Sequence, residues 1–411
     1  MRKLSILQIN VTANIGSTGK IAEQIGQAAI REGFRSCIAY GRRGLPGKNE
    51  LIRIGSKRDN LLHALRCRLL DQEGYGSKKA TQELVQKIQE LHPDIIHLHN
   101  LHSYYLNMEI LFRYLKDSGI PVVWTLHDCW PLTGHCCYFD AVGCDRWKDG
   151  CFSCPQRREY PASWWFDRSA ANYRLKKSLF TSVPNMTLVS VSRWLDRTIG
   201  NSFLKNYPRR IIYNGVDCEV FQPNLNREII RKQLGLQGKQ ILLGVASVWS
   251  FRKGLDDFLA LSRQLPRDCV IVLVGLSDAQ RRDLPDNVLG LARTDTPGKL
   301  AELYSAADVV LNFSLEETFG LTTVEGLACG TPGIVYDRTA SPELISDKTG
   351  WVVAPRSFDS VLQHLETIRR NDRAYYQGPC RVRATSMFDS NDRFAEYIAL
   401  YREILGIKNN N

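Results

Sequence analysis

Two glutamates eight positions apart are the feature of this sequence best suited to chemistry. Glu317 and Glu325 enclose a Phe-Gly-Leu break, and an apolar run over residues 308–313 precedes them. The run predicts a buried parallel strand. Residues 319–329 predict a short helix that ends at Gly330. Glu317 is therefore expected on the loop at the helix N-terminus, with Glu325 about two turns inside the helix.

This layout suits a sugar joined to a diphosphate. The main-chain N–H groups and the positive dipole end of a helix starting near Phe319, Gly320 and Leu321 favour an anionic phosphate. The carboxylates of Glu317 and Glu325 can accept hydrogen bonds from sugar or ribose hydroxyls. A helix with two solvated acids would not explain the strand, glycine and proline that surround them.

Together with the Ala-Cys-Gly-Thr-Pro exit at 328–332, this stretch resembles the signature of the group 1, or family 4, glycosyltransferases. Members are retaining enzymes with two facing Rossmann-like domains and an interdomain cleft, the GT-B fold. The resemblance implies transfer of a sugar, with retention, from a nucleotide-sugar donor to a hydroxyl of a growing, lipid-linked glycan. It implies a bacterial hexosyltransferase-type enzyme of cell-surface polysaccharide (exopolysaccharide) biosynthesis. Glu317 would orient the donor sugar, and Glu325 the ribose.

Short apolar strands alternate with helix-length segments along the chain, which predicts a doubly wound α/β protein. We predict an acceptor-side Rossmann-like domain over 1–213, a nucleotide-sugar-binding Rossmann-like domain over 214–387, and a C-terminal helix over 388–411 that returns to the first domain. The predicted strands of the two halves are 4–11, 36–40, 94–98, 121–126, 187–191 and 210–213, then 240–246, 269–274, 287–290, 308–313 and 333–336.

The first half contributes two further candidates to the site. Gly16 and Gly19 follow the first strand, where glycine lets the main chain approach a ligand and a helix N-terminus follows. An ordinary turn is the alternative. His127 ends a predicted buried strand and could donate to a donor hydroxyl, or could be satisfied by Asp128. His97 and His99 either line the acceptor side or are packed.

In the second half, Lys253 matches the family's basic residue that neutralises the leaving nucleoside diphosphate. The family's usual arginine is missing after this strand, and Arg252 is its candidate substitute because a guanidinium can grip two phosphate oxygens. Gly275 and Leu291 resemble the turns that border the nucleoside. The resemblance thus implies Glu317, His127 and Lys253 as catalytic residues, with the others binding the donor.

Six of the twelve cysteines lie between residues 129 and 154. Cys151 and Cys154 have the two-residue gap of a zinc knuckle, and two such arms can close a tetrahedral site. The pattern shared with colanic-acid-type enzymes of the family selects Cys136, Cys144, Cys151 and Cys154. Structural zinc is the hypothesis, with packed free thiols or an iron–sulfur cluster as alternatives. No cofactor is expected to be required for catalysis, because no Asp-x-Asp metal clamp is evident.

The charge is unevenly distributed. The chain has a net charge of +11, and residues 1–215 carry +13 against −2 for the remainder. A basic first half suggests an anionic partner such as acidic lipid or a lipid diphosphate, or simply a soluble basic surface. The sequence contains no basic stripe with interleaved aromatic residues, which is the pattern that would indicate a nucleic-acid partner. We expect a cytoplasmic protein, either freely soluble or peripheral at the inner face of the membrane.

Other functions stay open at this point. A nucleotide-sugar epimerase of the same fold would need acid–base residues and no acceptor. A non-catalytic scaffold would bind membranes or assembly partners through its basic first domain, without using the glutamate pair.

Overall fold

The structure, a computed structural model, describes residues 3–224, 226–371 and 373–407. The chain divides into two compact units, Met1–Tyr213 with Arg393–Asn411, and Asn214–Asp392. Residues 408–411, the end of the predicted C-terminal helical segment, lie outside the described residues. Among the described helices, none has both the length and the apolar composition needed to cross a bilayer.

The first unit is built on a parallel sheet of seven strands in the order β3-β2-β1-β4-β5-β6-β7. Its central strands are buried on both faces, as is typical of a sheet covered by helices. The strands are β1 (Ser5–Ala13), β2 (Arg35–Gly44), β3 (Glu50–Arg53), β4 (Ile95–Leu98), β5 (Val122–Leu126), β6 (Met186–Ser190) and β7 (Arg209–Ile211).

Seven α-helices in the described part of the chain accompany this sheet, the last of them near the C-terminal end. Phe394, Tyr397, Ile398 and Tyr401 of that helix are buried in one core with Ile6 of β1. The helices are α1 (Gly16–Arg31), α2 (Lys57–Leu70), α3 (Lys78–Leu91), α4 (Met108–Ser118), α5 (Ser169–Phe180), α6 (Arg193–Gly200) and α13 (Ser390–Ile404).

The second unit contains a parallel sheet of six strands in the order β10-β9-β8-β11-β12-β13. The strands are β8 (Gln240–Val245), β9 (Cys269–Val274), β10 (Val288–Leu291), β11 (Val309–Asn312), β12 (Gly333–Tyr336) and β13 (Gly350–Val353). The helices are α7 (Arg227–Gln233), α8 (Leu255–Ser262), α9 (Pro297–Ala306), α10 (Leu321–Ala328), α11 (Phe358–Arg370) and α12 (Arg373–Phe388).

Sequence patterns predict eleven of these strands and miss β3 and β13. Both lie at a sheet edge and pair with a single neighbour, β2 and β12 respectively. Four-residue edge strands that are partly exposed lack the continuous apolar run that marks a buried parallel strand. The omission therefore has a physical reason.

Each sheet has one point where the strand order reverses, between β1 and β4 in the first unit and between β8 and β11 in the second. Open parallel sheets bind ligands outside the carboxyl ends of the strands at such a point. Gly16 and His99 follow β1 and β4, whereas Lys253 and Glu317 follow β8 and β11. The predicted site residues therefore cluster where this fold class binds ligands.

Candidate functional site

Glu317 and Lys253 form an ion pair at the reversal point of the second sheet. Nζ of Lys253 lies 2.5 Å from Oε1 of Glu317, with side chains 21% and 13% exposed. The main-chain N–H of Glu317 donates to Oγ1 of Thr339 at 2.8 Å. Burial alone would raise the pKa of Glu317, but the charges of Lys253 and Arg252 outweigh it and lower that pKa. Glu317 is therefore ionised at neutral pH.

Arg252 lies beside this pair, on a 3₁₀ turn over Phe251–Lys253. Its Nη1 donates to the carbonyl oxygen of Glu316 at 2.9 Å, and its own carbonyl accepts from the N–H of Leu315 at 2.9 Å. These bonds connect the loop after β8 to the loop after β11. The guanidinium is thus close to Glu317, as its candidate role requires.

Helix α10 begins two residues later than the sequence predicts. Gly320 has φ +104° and precedes the first helical residue, Leu321. The Phe319 ring is 2% exposed and meets the Phe388 ring edge-on at 5.7 Å between centroids. Only the main chain of Phe319 can therefore face a ligand. At the other end the helix stops at Ala328, close to the predicted position.

The N-terminus of α10 carries no neutralising side chain. It has no side-chain cap and no acidic residue in its first turn, so the positive end of its dipole is uncompensated. Inside the helix, Oε2 of Glu325 accepts a hydrogen bond from the Tyr304 hydroxyl at 2.8 Å. Tyr304 is fully buried on α9 and has no sequence signal of its own. It is a positioning residue that sequence reasoning missed.

Gly275, which follows β9, contacts both the residue after β8 and the last residue of β10. Its N–H donates to the carbonyl of Leu291 at 3.0 Å. Its φ is +95°, and an added Cβ would lie 1.9 Å from the carbonyl oxygen of Ala246. No larger residue fits this close approach of two loops. The structure therefore brings Gly275 and Leu291 to the same sheet edge as Lys253.

In the first unit, Gly16 and Gly19 differ in their surroundings. Helix α1 begins at Gly16, which has φ +68° and open space around its missing Cβ. Gly19 lies inside the first turn, where a Cβ would approach Oγ1 of Thr12 to 2.6 Å. Gly16 is exposed and can approach a ligand, whereas Gly19 is buried against β1. The packing accounts for Gly19 without a ligand.

His127 ends a chain of hydrogen bonds through the first unit. Nε2 of Gln8 donates to the Ala22 carbonyl at 2.8 Å, so Oε1 of Gln8 accepts from Nε2 of His99 at 3.0 Å. Nδ1 of His99 must then accept from Nε2–H of His127, at 3.1 Å. These roles are assigned from the hydrogen-bond network. In this assignment Nδ1 of His127 carries no hydrogen, so the ring has no N–H left for the predicted donation to a sugar hydroxyl.

Burial keeps this chain neutral. Burial lowers the pKa of His127 to about 4, despite the opposing charge of Asp128. It also lowers the pKa of His99 well below its ordinary value, assisted by the neighbouring histidines. Oδ2 of Asp128 is hydrogen-bonded to His102 at 2.8 Å. His97 bonds to Tyr401 and Thr125 in the core, so it is a packed residue.

The cysteine-rich loop after β5 contains two groups of potential metal ligands. Cys136, Cys144, Cys151 and Cys154 all line one small cavity, and none of the twelve cysteines forms a disulfide. Separately, among the described residues, His102, Asp128 and Cys137 are the one set of three ligand atoms within 4.8 Å of one another.

Comparison with known families matches both halves of the chain. Residues 226–377 match the model described as glycosyl transferases group 1, and residues 19–220 match the model described as glycosyltransferase family 4. The putative colanic acid biosynthesis glycosyl transferase WcaC of Escherichia coli K12 is 29% identical over 98% of this chain and all of its own length. D-inositol 3-phosphate glycosyltransferase of Mycobacterium tuberculosis is 28% identical over 48% of this chain and 44% of its own.

Solved structures resemble the whole chain. Sucrose-phosphate synthase of Thermosynechococcus elongatus has a TM-score of 0.71 at 19% identity, over 98% of this chain and all of its own. Anabaena Alr3699/HepE, solved in complex with UDP and glucose, has a TM-score of 0.67 at 17% identity, over 96% of this chain and 99% of its own. These likenesses confirm the predicted α/β fold with two Rossmann-like domains.

Proposed function

The chain belongs to the group 1 glycosyltransferases, and from that membership we propose that it moves a sugar from a nucleoside diphosphate sugar to a hydroxyl of a growing glycan. The polysaccharide context follows from its likeness to WcaC, which matches over nearly the whole chain. A nucleoside diphosphate sugar as the donor is supported by the structure of Anabaena Alr3699/HepE, which was solved in complex with UDP and glucose.

The observation that carries the proposal is the Lys253–Glu317 ion pair beside the uncapped N-terminus of α10. When the bond between the sugar and the diphosphate breaks, negative charge develops on the departing phosphate oxygen. Lys253, Arg252 and the first-turn N–H groups of α10 can stabilise that charge without rearranging, which is the most effective form of electrostatic catalysis. Glu317 holds Lys253 in place and accepts hydrogen bonds from the sugar.

The remaining site residues bind the nucleoside part of the donor. Glu325, fixed by Tyr304, accepts from the ribose hydroxyls, and the main chain at Gly275 and Leu291 borders the nucleoside. Retention of the anomeric configuration is part of the proposal, because family resemblance implies it.

The test is a transfer assay with isotope-labelled nucleotide sugars and a bacterial lipid extract as acceptor. We expect release of nucleoside diphosphate together with a labelled glycolipid whose anomeric configuration, read by NMR, matches the donor. An inverted product would contradict retention. Formation of an epimeric nucleotide sugar without acceptor would indicate an epimerase, and no turnover of any donor would favour a scaffold.

A lipid-linked acceptor would require the enzyme to approach a membrane, and the first unit presents a surface suited to that. The outer face of α2 and the adjoining segment 164–166 expose large apolar side chains between basic ones. The Arg68 carbonyl accepts from the Trp164 N–H at 2.7 Å, so the two parts are contiguous. The exposed apolar residues are Leu61, Leu62, Leu65, Leu70, Trp164, Trp165 and Phe166.

The charges around this surface favour an anionic leaflet on the cytoplasmic side. Lys57, Arg58, Arg66 and Arg68 are exposed on the same helix. A basic helix with an exposed apolar face binds the membrane interface, and each basic residue near an acidic leaflet contributes about 1 kcal/mol. We expect the protein to float with phosphatidylglycerol vesicles and not with phosphatidylcholine vesicles.

The matched variants compare two apolar surfaces. Leu62→Ser combined with Trp165→Ser should abolish flotation, whereas Val382→Ser, equally exposed on α12 of the second unit, should leave it unchanged. Equal flotation of all three proteins would contradict this docking surface.

A further inference from the structure

The loop after β5 surrounds a cavity of about 10 Å³, enough for a single ion or water. Its lining includes the four cysteines that the sequence selects and, in addition, His135. Neither the sugar-transfer chemistry nor the packing of the first sheet uses this cavity.

His135 points to a ligand in the cavity. The residue is 3% exposed, and its Nδ1 is hydrogen-bonded to Oδ1 of Asp71 at 2.5 Å. Its Nε2 has no hydrogen-bond partner among the described residues. A buried polar atom without a partner is costly. A histidine held through one nitrogen by a carboxylate is the usual arrangement when the other nitrogen binds a metal.

The thiols around His135 have hydrogen-bond partners and N–H groups beside them on the cavity wall. Cys136 and Cys154 are hydrogen-bonded to each other through their side chains. Sγ of Cys151 accepts the main-chain N–H of Gly134 at 3.1 Å. The Trp147 indole N–H, also buried on the cavity wall, has no acceptor among the described residues. N–H groups near sulfur are the outer-shell partners that stabilise metal-bound thiolates.

A buried cation lies nearby. Lys176 is 1% exposed, and its ammonium donates to the carbonyls of Trp130 and Thr133 at 2.7 and 3.0 Å. In the described part of the chain, no carboxylate lies within ion-pair distance of it. Thr133 itself lines the cavity. A divalent ion with three thiolates and a neutral histidine carries one negative charge, which would balance Lys176.

We propose that this cavity binds one Zn²⁺ through Nε2 of His135 and the thiolates of Cys136, Cys151 and Cys154. This set differs from the sequence-based hypothesis, because His135 replaces Cys144. No three of these four ligand atoms all lie within 4.8 Å of one another, as the ligand atoms of His102, Asp128 and Cys137 do. The loop must therefore contract around the ion to reach tetrahedral zinc–ligand distances of about 2.0–2.3 Å.

The tighter cluster of His102, Asp128 and Cys137 is the weaker metal candidate, because hydrogen bonds already satisfy it. Nε2 of His102 bonds to Asp128 at 2.8 Å, and its Nδ1 bonds to the Tyr160 hydroxyl at 2.9 Å. The second oxygen of Asp128 accepts from the N–H of Trp130 at 2.9 Å. No orphaned atom there requires an ion.

The first test is the metal content of the full chain, purified without added metal and measured by inductively coupled plasma mass spectrometry. We expect one zinc per chain, lost in His135→Asn and in Cys151→Ser and retained in Cys144→Ser. Absence of zinc, or iron in its place, would overturn the proposal. Zinc lost in Cys144→Ser and kept in His135→Asn would also overturn it, in favour of four cysteines.

The second test uses the unaltered protein, in case the variants fail to fold. Removing the metal with a strong chelator should lower the thermal midpoint, and ZnCl₂ but not MgCl₂ should restore it. Substitution with cobalt should give the tetrahedral ligand-field spectrum of three thiolates and one nitrogen. An unchanged midpoint after chelation, or a spectrum of four thiolates, would contradict the assignment independently of any transferase activity.

Discussion

At the reversal point of the second sheet, Lys253 and Glu317 form an ion pair next to an uncapped helix end. At the reversal point of the first sheet, Gln8, His99 and His127 form a hydrogen-bonded chain that burial keeps neutral. The same fold therefore places charged groups at the reversal point of the second sheet and neutral hydrogen-bonding groups at that of the first. We call these two places the charged edge and the neutral edge. Charge suits a leaving diphosphate, whereas neutral hydrogen-bonding groups suit hydroxyls.

The net charge of each half of the chain does not match the electrostatics of its candidate site. Residues 1–215 carry +13, yet their candidate site is neutral, and the remainder carries −2 around the cationic site. Net charge of a domain thus reports its outer surface, here the basic face of α2, and not the electrostatics of its site. The charged edge and the neutral edge therefore have to be tested with single-residue variants.

The largest effect is expected for Lys253→Met. If Lys253 faces the departing diphosphate as proposed, removing this cation should lower kcat by about 10²–10³-fold, comparable to removing one preorganised donor from an oxyanion hole. Steady-state kinetics of donor turnover measure this. Lys253→Arg keeps the charge and should retain most of the activity. A loss below tenfold in Lys253→Met would remove the distinction between the two edges.

A smaller effect is expected at the neutral edge. His127→Asn should lower kcat/KM by about tenfold or less, because one neutral hydrogen bond contributes about 0.5–1.5 kcal/mol. The exposed His92→Asn serves as the control and should behave like the unaltered enzyme. A loss at His127 as large as that at Lys253 would mean that the histidine also handles charge.

The neutral edge should also make stability depend on pH. The pKa of His127 is about 4 in the folded protein, against about 6.5 for an ordinary histidine. Between these values the unfolded state binds more protons. The stabilisation is therefore complete above pH 6.5 and is lost as pH falls towards 4, by at most about 1.4 kcal/mol per pH unit for this group.

Urea unfolding at pH 7, 6 and 5, followed through the tryptophans, measures that loss. His127→Asn should show a shallower decline between pH 7 and 5 than the unaltered protein, whereas His92→Asn should show the same decline. Identical pH dependence in all three proteins would indicate that the pKa of His127 is the same in the folded and unfolded states, contrary to this account.

The smallest effect concerns the second unit again. Tyr304→Phe removes the hydroxyl that fixes Glu325 while preserving the packing of the ring. We expect the KM for the donor to rise about three- to tenfold, the equivalent of one hydrogen bond, with kcat unchanged. A fall in kcat at unchanged KM would place Glu325 at the reacting centre.

Much of this architecture could be predicted from sequence, because buried strands and the glutamate signature are local patterns. The motifs around Lys253 and Glu317 each indicate a site residue, although the contact between the two spans 64 positions. The residues that hold the site residues in place through hydrogen bonds could not be identified from the sequence. Gln8 lies 91 positions from His99, and Tyr304 21 positions from Glu325. Only the folded arrangement of strands and helices brings them together.

The cysteine loop shows the same limit. The resemblance to colanic-acid-type enzymes implies four cysteine ligands, but the unpartnered nitrogen of His135 and its contact with Asp71 exist only in the folded chain.

The most direct test of the charged edge is isothermal titration of UDP, ADP, GDP and CDP into the unaltered protein and into Lys253→Met. We predict that one of these nucleotides binds the unaltered protein and that its affinity falls at least tenfold in the variant, which corresponds to about 1.4 kcal/mol. Binding of equal strength to both proteins, or of no nucleotide to either, would contradict the account.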